Sequence, residues 1–263
     1  MATQTIEQSQ SAQSIFVPLT DWAITEAEEM ALCHDKPEKR RWVFDRAVAL
    51  AGITDWLKYD LGLEADVASG DFADPWLRNG SDVADLIVND AVRIECCIVE
   101  EGDTTLQISP DVYPEMDSSS NAPRIAYVVV RLPEDLVELE ILGFLPAVEL
   151  ASRDLTKPIS LSELYAPEDL AFEIRAAAFD LDDFGHLEDL VKSDIDDQMM
   201  ISMICGNLQE SSVMRELALK NTKDQQSDEL VDSLSEPIDV MEQEQQEKMA
   251  RVILRRLKSL WQD

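Results

Sequence analysis

The chain predicts an α+β fold: an N-terminal helical pair packed on an antiparallel β-meander, followed by C-terminal helices. Three observations carry this. Apolar residues recur at helical spacing in the first third of the chain, alternate with a period of two between 82 and 148, and return to helical spacing after 150. Short links join the strand-like segments. None of those links carries a helical pattern, so the four or five expected strands should pair antiparallel.

The elements follow in order. Residues 1–14 are polar, rich in Gln and Ser, and are expected to be disordered. Ile15 to Leu19 reads as a short edge strand, because Pro18 lacks an N–H. Thr20 suits the N-cap of a helix through Cys33, with Trp22, Ala23, Ala27, Met30 and Ala31 on its apolar side. Asp35-Lys36-Pro37-Glu38 reads as a capping-box-like start, with Asp35 as the cap. Val43, Ala47, Leu50, Ala51, Thr54 and Leu57 then recur at helical spacing, and Gly62 suits the end of that helix.

Strands are expected over 85–89 and 92–100, the second with Val92, Ile94, Cys96 and Ile98 on one face and Arg93, Glu95 and Cys97 on the other. Glu101-Gly102-Asp103 turns the chain into a strand over 104–108, and 109–123 is a loop with Ser118, Ser119, Ser120 and Asn121 at its tip. The almost wholly apolar run from Arg124 to Leu132 predicts a central strand covered on both faces. Pro133-Glu134-Asp135 turns it into a strand over 137–145. Leu161 to Leu164 suggests a short turn or a strand-like lead, Pro167 opens a helix to about Ala178, and 199–219 can form an amphipathic helix. Pro237 starts a last helix whose apolar stripe is Met241, Met249, Val252, Ile253, Leu257, Leu260 and Trp261. The expected organisation is thus a disordered 1–14, an α+β domain over 15–178, an acidic helical region over 179–223, an acidic linker over 224–236 and a basic amphipathic helix over 237–263.

Charge narrows the function. The 263 residues hold 54 acids and 22 bases, a formal net charge of -32. A surface of that sign opposes the counterion release on which nucleic-acid binding depends, so nucleic acid is not an expected partner. Neither a secretory leader nor an 18-residue apolar run is present, which makes the cytoplasm the expected location and a membrane an unexpected partner.

Catalytic and metal signatures are weak. Cys33, Cys96, Cys97 and Cys205 match no zinc spacing, and with only His34 and His186 to assist them they read as reduced core or half-buried thiols. Asp180-Leu-Asp182-Asp183-Phe-Gly185 approaches a calcium loop, but Phe184 and Val191 stand where the fifth and twelfth positions require oxygen. The segment 180–197, with eight acids and the single base Lys192, therefore reads as a solvated acidic face. His186 reads as a surface or capping residue. The eight glycines form no phosphate loop. No cofactor is expected.

Two basic clusters interrupt the acidity. Lys36, Lys39, Arg40, Arg41 and Arg46 lie on the second helix and read as a solvated face with internal ion pairs, ahead of a docking site for an acidic partner or for the acidic tail of the same molecule. Lys248, Arg251, Arg255, Arg256 and Lys258 put five bases and no acid within residues 248–258. Together with Trp261 they are the candidate partner-docking residues. Docking of this helix within its own chain is the leading reading, ahead of a partner protein and of lipid or nucleic acid. The function expected is that of a non-enzymatic regulatory or protein-interaction protein whose partner has a basic surface; a hydrolase using clustered carboxylates is the alternative.

Several segments carry a family resemblance. Phe16-Val-Pro-Leu-Thr20, Asp55-Trp-Leu-Lys-Tyr-Asp-Leu-Gly-Leu-Glu64, and Asp82-Val-Ala-Asp-Leu86 leading to Ile94-Glu-Cys96 are three of them. Arg124-Ile-Ala-Tyr-Val-Val-Val130 with Leu142-Gly-Phe-Leu-Pro146, and Ile159-Ser-Leu-Ser-Glu-Leu164 with Pro167-Glu-Asp-Leu170, complete the set. Over roughly residues 15–175 the chain resembles an uncharacterised, mainly cyanobacterial family, the domain of unknown function numbered eighteen twenty-two. The resemblance implies no catalytic residue. It implies a regulatory setting, near cyanobacterial signalling and sigma-factor genes.

Overall fold

The computed structural model describes residues 14–67, 86–89, 92–108, 124–151, 153–177, 179, 181–193, 195–210 and 243–261. The expected loop tip at 118–121, the linker at 224–236, and Met241 and Pro237 of the last helix lie outside the described residues. The fold is α+β, and the chain divides into two compact units, 1–171 and 172–263.

The first unit is built on a six-stranded sheet. Its strands are β1 (Ile15–Pro18), β2 (Ala65–Val67), β3 (Leu86–Val88), β4 (Val92–Val99), β6 (Arg124–Arg131) and β7 (Glu138–Pro146), in the spatial order β1-β7-β6-β4-β3-β2. A separate antiparallel pair joins β5 (Thr105–Leu106) to β8 (Ile159–Ser160). The expected meander is corrected at the centre of the sheet, where β4 and β6 run parallel, Glu95 beside Tyr127 and Cys97 beside Val129. A parallel pair needs a long return connection. Residues 100–123 supply it without an intervening helix among the described residues, and β5 leaves for the small sheet instead of following β4 across a hairpin.

Position in the sheet follows composition. The run Arg124–Arg131 lies between β7 and β4 with its six inner residues buried, as a strand covered on both faces requires. β1 occupies one edge, where Pro18 breaks no ladder on the open side. β1 covers only Glu138 to Ile141 of β7. Beyond it Tyr165 takes over, exchanging backbone hydrogen bonds with Phe144 at 2.9 and 3.2 Å. A register shift falls opposite Gly143, whose φ is +148°.

Two helices precede most of the sheet. Thr20 caps α1 (Asp21–Leu32), accepting a hydrogen bond from the Ala23 N–H at 3.2 Å. The helix buries Ala23, Ala27 and Ala31, a stripe one residue wide; Trp22, expected on it, is 71% exposed. Its neighbour α2 (Pro37–Tyr59) starts with Lys36, not Asp35, at the N-cap and makes no side-chain cap bond. Pro37 at the first turn is sufficient, because it needs no N–H partner there. Nine of its residues are buried, Trp56 and Leu57 among them, and Gly62 follows its end with φ +64°. Helix α3 (Ala147–Ala151) continues directly from β7. A 3-10 turn at Leu161–Glu163 is closed by a Ser160/Glu163 capping box.

The second unit is helical. The expected helix from Pro167 begins as a 3-10 turn and becomes α4 (Leu170–Ala176). A 3-10 segment, Leu181–Leu187, leads into α5 (Glu188–Val191), and α6 (Asp197–Glu210) and α7 (Gln243–Trp261) follow. Their core gathers Phe172, Phe184, Leu187, Ile204 and Leu208 against Met249, Ile253 and Leu257 of α7. Of the expected stripe of α7, Leu260 is exposed and Trp261 half-buried. Phe184 is 2% exposed, so the near-calcium motif puts an apolar anchor where a ligand would stand, while Asp183, Asp189, Asp196 and Asp197 are exposed. Among the described residues, no helix is long and apolar enough to cross a membrane.

Candidate functional site

The apolar stripe of α7 turns one side of that helix into the core, and its cations flank the stripe. Arg255 forms an ion pair with Glu173, a carboxylate only 3% exposed. Arg256 donates from Nη1 to the Ala176 carbonyl, and burial pushes its guanidinium below the usual range. Lys258 reaches Asp197 at 2.6 Å. The Lys248 ammonium lies 5.7 Å from the centre of the Phe172 ring. Arg251 is exposed, and Trp261 packs against the core. Five of the six docking candidates thus make contacts inside their own unit. Glu173 was not legible as their counterpart; its only signal is one acid between Phe172 and Ile174.

The basic cluster of α2 divides in the same way. Arg41 pairs with Asp45 at 3.6 Å and Arg40 donates to the His34 carbonyl, as a solvated face with local pairs would. Burial pushes the Asp45 carboxyl up, and Arg41 opposes it. Arg46 instead points inward, to Glu95. Glu95 is 1% exposed and also lies 3.6 Å from Arg124. Trp42 stands between Lys39 at 4.4 Å and Arg46 at 5.7 Å from its ring centre. A carboxylate gripped by guanidiniums from a helix and a strand ties α2 to the sheet. It is poorly placed to move a proton on a substrate.

His186 is exposed at the end of its 3-10 segment, 3.0 Å from the Asn207 amide. No group of three metal-ligating side chains occurs among the described residues. The four cysteines are not joined in disulfides among the described residues; Cys96 and Cys97 are buried, but Cys33 is exposed rather than in the core. Burial, reinforced by the nearby Glu247 carboxylate, pushes the half-buried Cys205 thiol up. Since the thiolate is the nucleophile, Cys33 should be alkylated first by iodoacetamide at neutral pH, Cys205 more slowly, and Cys96 and Cys97 only in denaturant. Peptide mass spectrometry against time gives that order directly, and early labelling of Cys96 would contradict the burial.

One concave feature lies on the sheet edge, a groove of about 250 Å³. Its lining is apolar at Phe16, Pro133 and Val137 and charged at Arg131, Asp135, Glu138 and Glu140. Phe16, Glu140 and Arg131 are successive cross-strand partners over β1, β7 and β6, which places them side by side on one face. Phe16 is 58% and Val137 60% exposed. The Arg131 guanidinium is taken by Glu140 at 2.6 Å. The Glu138 side chain is exposed and enters none of the ion pairs among the described residues. The backbone here is held firmly: Leu136 sits at φ +52°, the Val137 N–H donates to Asp135 Oδ1 at 3.2 Å, and the Leu19 N–H donates to the Val137 carbonyl at 2.9 Å. Nothing in the sequence pattern singles out this groove, because Phe16 and Val137 read as ordinary strand residues.

No curated protein and no solved structure matches the chain. The sequence profile of one family, described as protein of unknown function (DUF1822), matches residues 17–176, more than half of the chain and the span from β1 to the end of α4. The chain belongs to the DUF1822 family of proteins of unknown function.

Proposed function

We propose that this protein is a non-enzymatic regulatory or interaction protein that recognises a basic surface on a partner protein. The observation that carries the reading is the direction of its charges. In a chain of net charge -32, the buried carboxylates Glu95 and Glu173 are matched by Arg46, Arg124 and Arg255, and other cations are drawn to Glu140, Glu163 and Asp197. What remains outside is largely carboxylate, such as Glu28, Glu29, Glu134 and Glu138. An anionic surface steers cationic partners and repels nucleic acid and anionic lipid. Both buried carboxylates are occupied by arginine, an arrangement suited to packing, which favours interaction over hydrolysis.

The regulatory setting implied by the family resemblance gives this reading a specific form. The acidic protein occupies the basic DNA-binding helices of a cyanobacterial sigma factor, in the cytoplasm. Purification of the full chain from a native lysate of its source should return a stoichiometric protein that dissociates as salt is raised. Transcription with the cognate sigma factors in vitro should be inhibited. A lysate that yields no stoichiometric partner would overturn the general reading, and uninhibited transcription the specific one.

A further inference from the structure

We infer that the groove on the β1–β7 edge is where the partner docks, and that it takes a short cationic segment of another protein carrying one apolar side chain. The inference rests on the interaction reading above and gives it a location. Phe16 and Val137 are more than half exposed on a backbone that is pinned on both sides, so the apolar surface is presented in a fixed shape. The left-handed Leu136 that sets this shape is a strained conformation for a non-glycine residue. The volume, about 250 Å³, falls below the roughly 300 Å³ at which small-molecule pockets begin, and fits a side chain better than a metabolite.

Charge complementarity selects the occupant. Glu140 and Arg131 neutralise each other, leaving Asp135 and Glu138 as the net charge of the lining. A lysine or arginine on each side of an apolar residue would meet those carboxylates while the apolar residue covers Phe16 and Val137. Strand addition is not the mode. β1 has four residues and ends in Pro18, a short edge of the kind that discourages pairing. Recognition therefore runs through side chains, and its rim charges make it sensitive to salt.

The test uses the full chain and a fluorescein-labelled lysine-rich peptide with one central leucine, followed by anisotropy at about 150 mM salt. Val137→Ser combined with Glu138→Lys should weaken binding about tenfold or more, and Phe16→Ser should do so alone. Replacing the leucine of the probe by serine should have a similar effect on the native chain. The control is Glu28→Lys with Glu29→Lys, exposed on α1. It reverses two charges where the groove variant reverses one, and should change affinity less than about twofold. If the control weakens binding as much as the groove variants, or if the groove variants bind like the native chain, the groove assignment is wrong and the general reading survives. If the native chain binds no cationic probe at that salt, both fail. Unchanged circular dichroism of each variant keeps loss of fold separate from loss of binding.

Discussion

Gly143→Ala should cost the first unit about 3–5 kcal/mol, the range of the most damaging single substitutions. Two effects combine at this position. With φ at +148°, any Cβ is strained. That Cβ would also lie 2.3 Å from the Tyr165 carbonyl oxygen and 2.9 Å from Leu164 Cβ. The oxygen belongs to a backbone that is bonded to Phe144, so it cannot swing aside as a side-chain tip would. Gly102→Ala separates the two effects. Gly102 has φ +87° with nothing within 4 Å of a new Cβ, so it should lose only the conformational part, about 1 kcal/mol. Hydrogen exchange on the β6–β7 amides measures the difference locally, which matters in a chain of two units where a single unfolding midpoint is poorly defined. Equal losses in the two variants would mean that Tyr165 does not close the end of β7.

Gly143 also marks where the sequence stops being legible. Short-range signals read correctly: Pro18 at an edge strand, Thr20 as a cap, an apolar run at 124–131 for a central strand, and a 3.6-residue stripe in the last helix. Each is written in neighbouring residues. The parallel pairing of β4 with β6 is not, because it joins strands separated by residues 100–123, and a connection with no helical pattern looks like a hairpin series. Glu95 and Glu173 are similar cases. Each is a single acid in an apolar run, and the arginine that neutralises it comes from another element 49 or 82 residues away (95 − 46 and 255 − 173). Trp22 fails in the opposite sense: its spacing fits the apolar side of α1, but the stripe that packs is only as wide as three alanines. The groove needed β1 and the end of β6 in register with β7, and only the sheet order supplies that.

The basic C-terminal helix leads to the second large effect. Arg255→Ala should destabilise the second unit by about 3–5 kcal/mol, because it leaves the Glu173 charge buried and unmatched. Glu95 is the milder case, since Arg124 stays within 3.6 Å when Arg46 is removed. For Glu173, Arg255 is the ion-pair partner among the described residues. If the cost is that of an orphaned charge and not of a lost attraction, removing both charges must restore much of it. Glu173→Leu with Arg255→Met should lie close to the native stability or above it, as apolar replacements of buried ion pairs do. Arg251→Ala, at an exposed position on the same helix, should stay within about 0.5 kcal/mol. Hydrogen exchange on the α6 and α7 amides of the four proteins decides the point. If Arg255→Ala and Arg251→Ala are equally mild, Arg255 is a surface cation and returns to the set available to a partner. If the double variant is as damaged as Arg255→Ala, the pair supplies packing that leucine and methionine do not replace. The predicted outcome, a severe single variant rescued by the double, would make this helix a structural member of its unit through Arg255 and leave Arg251 as its exposed cation.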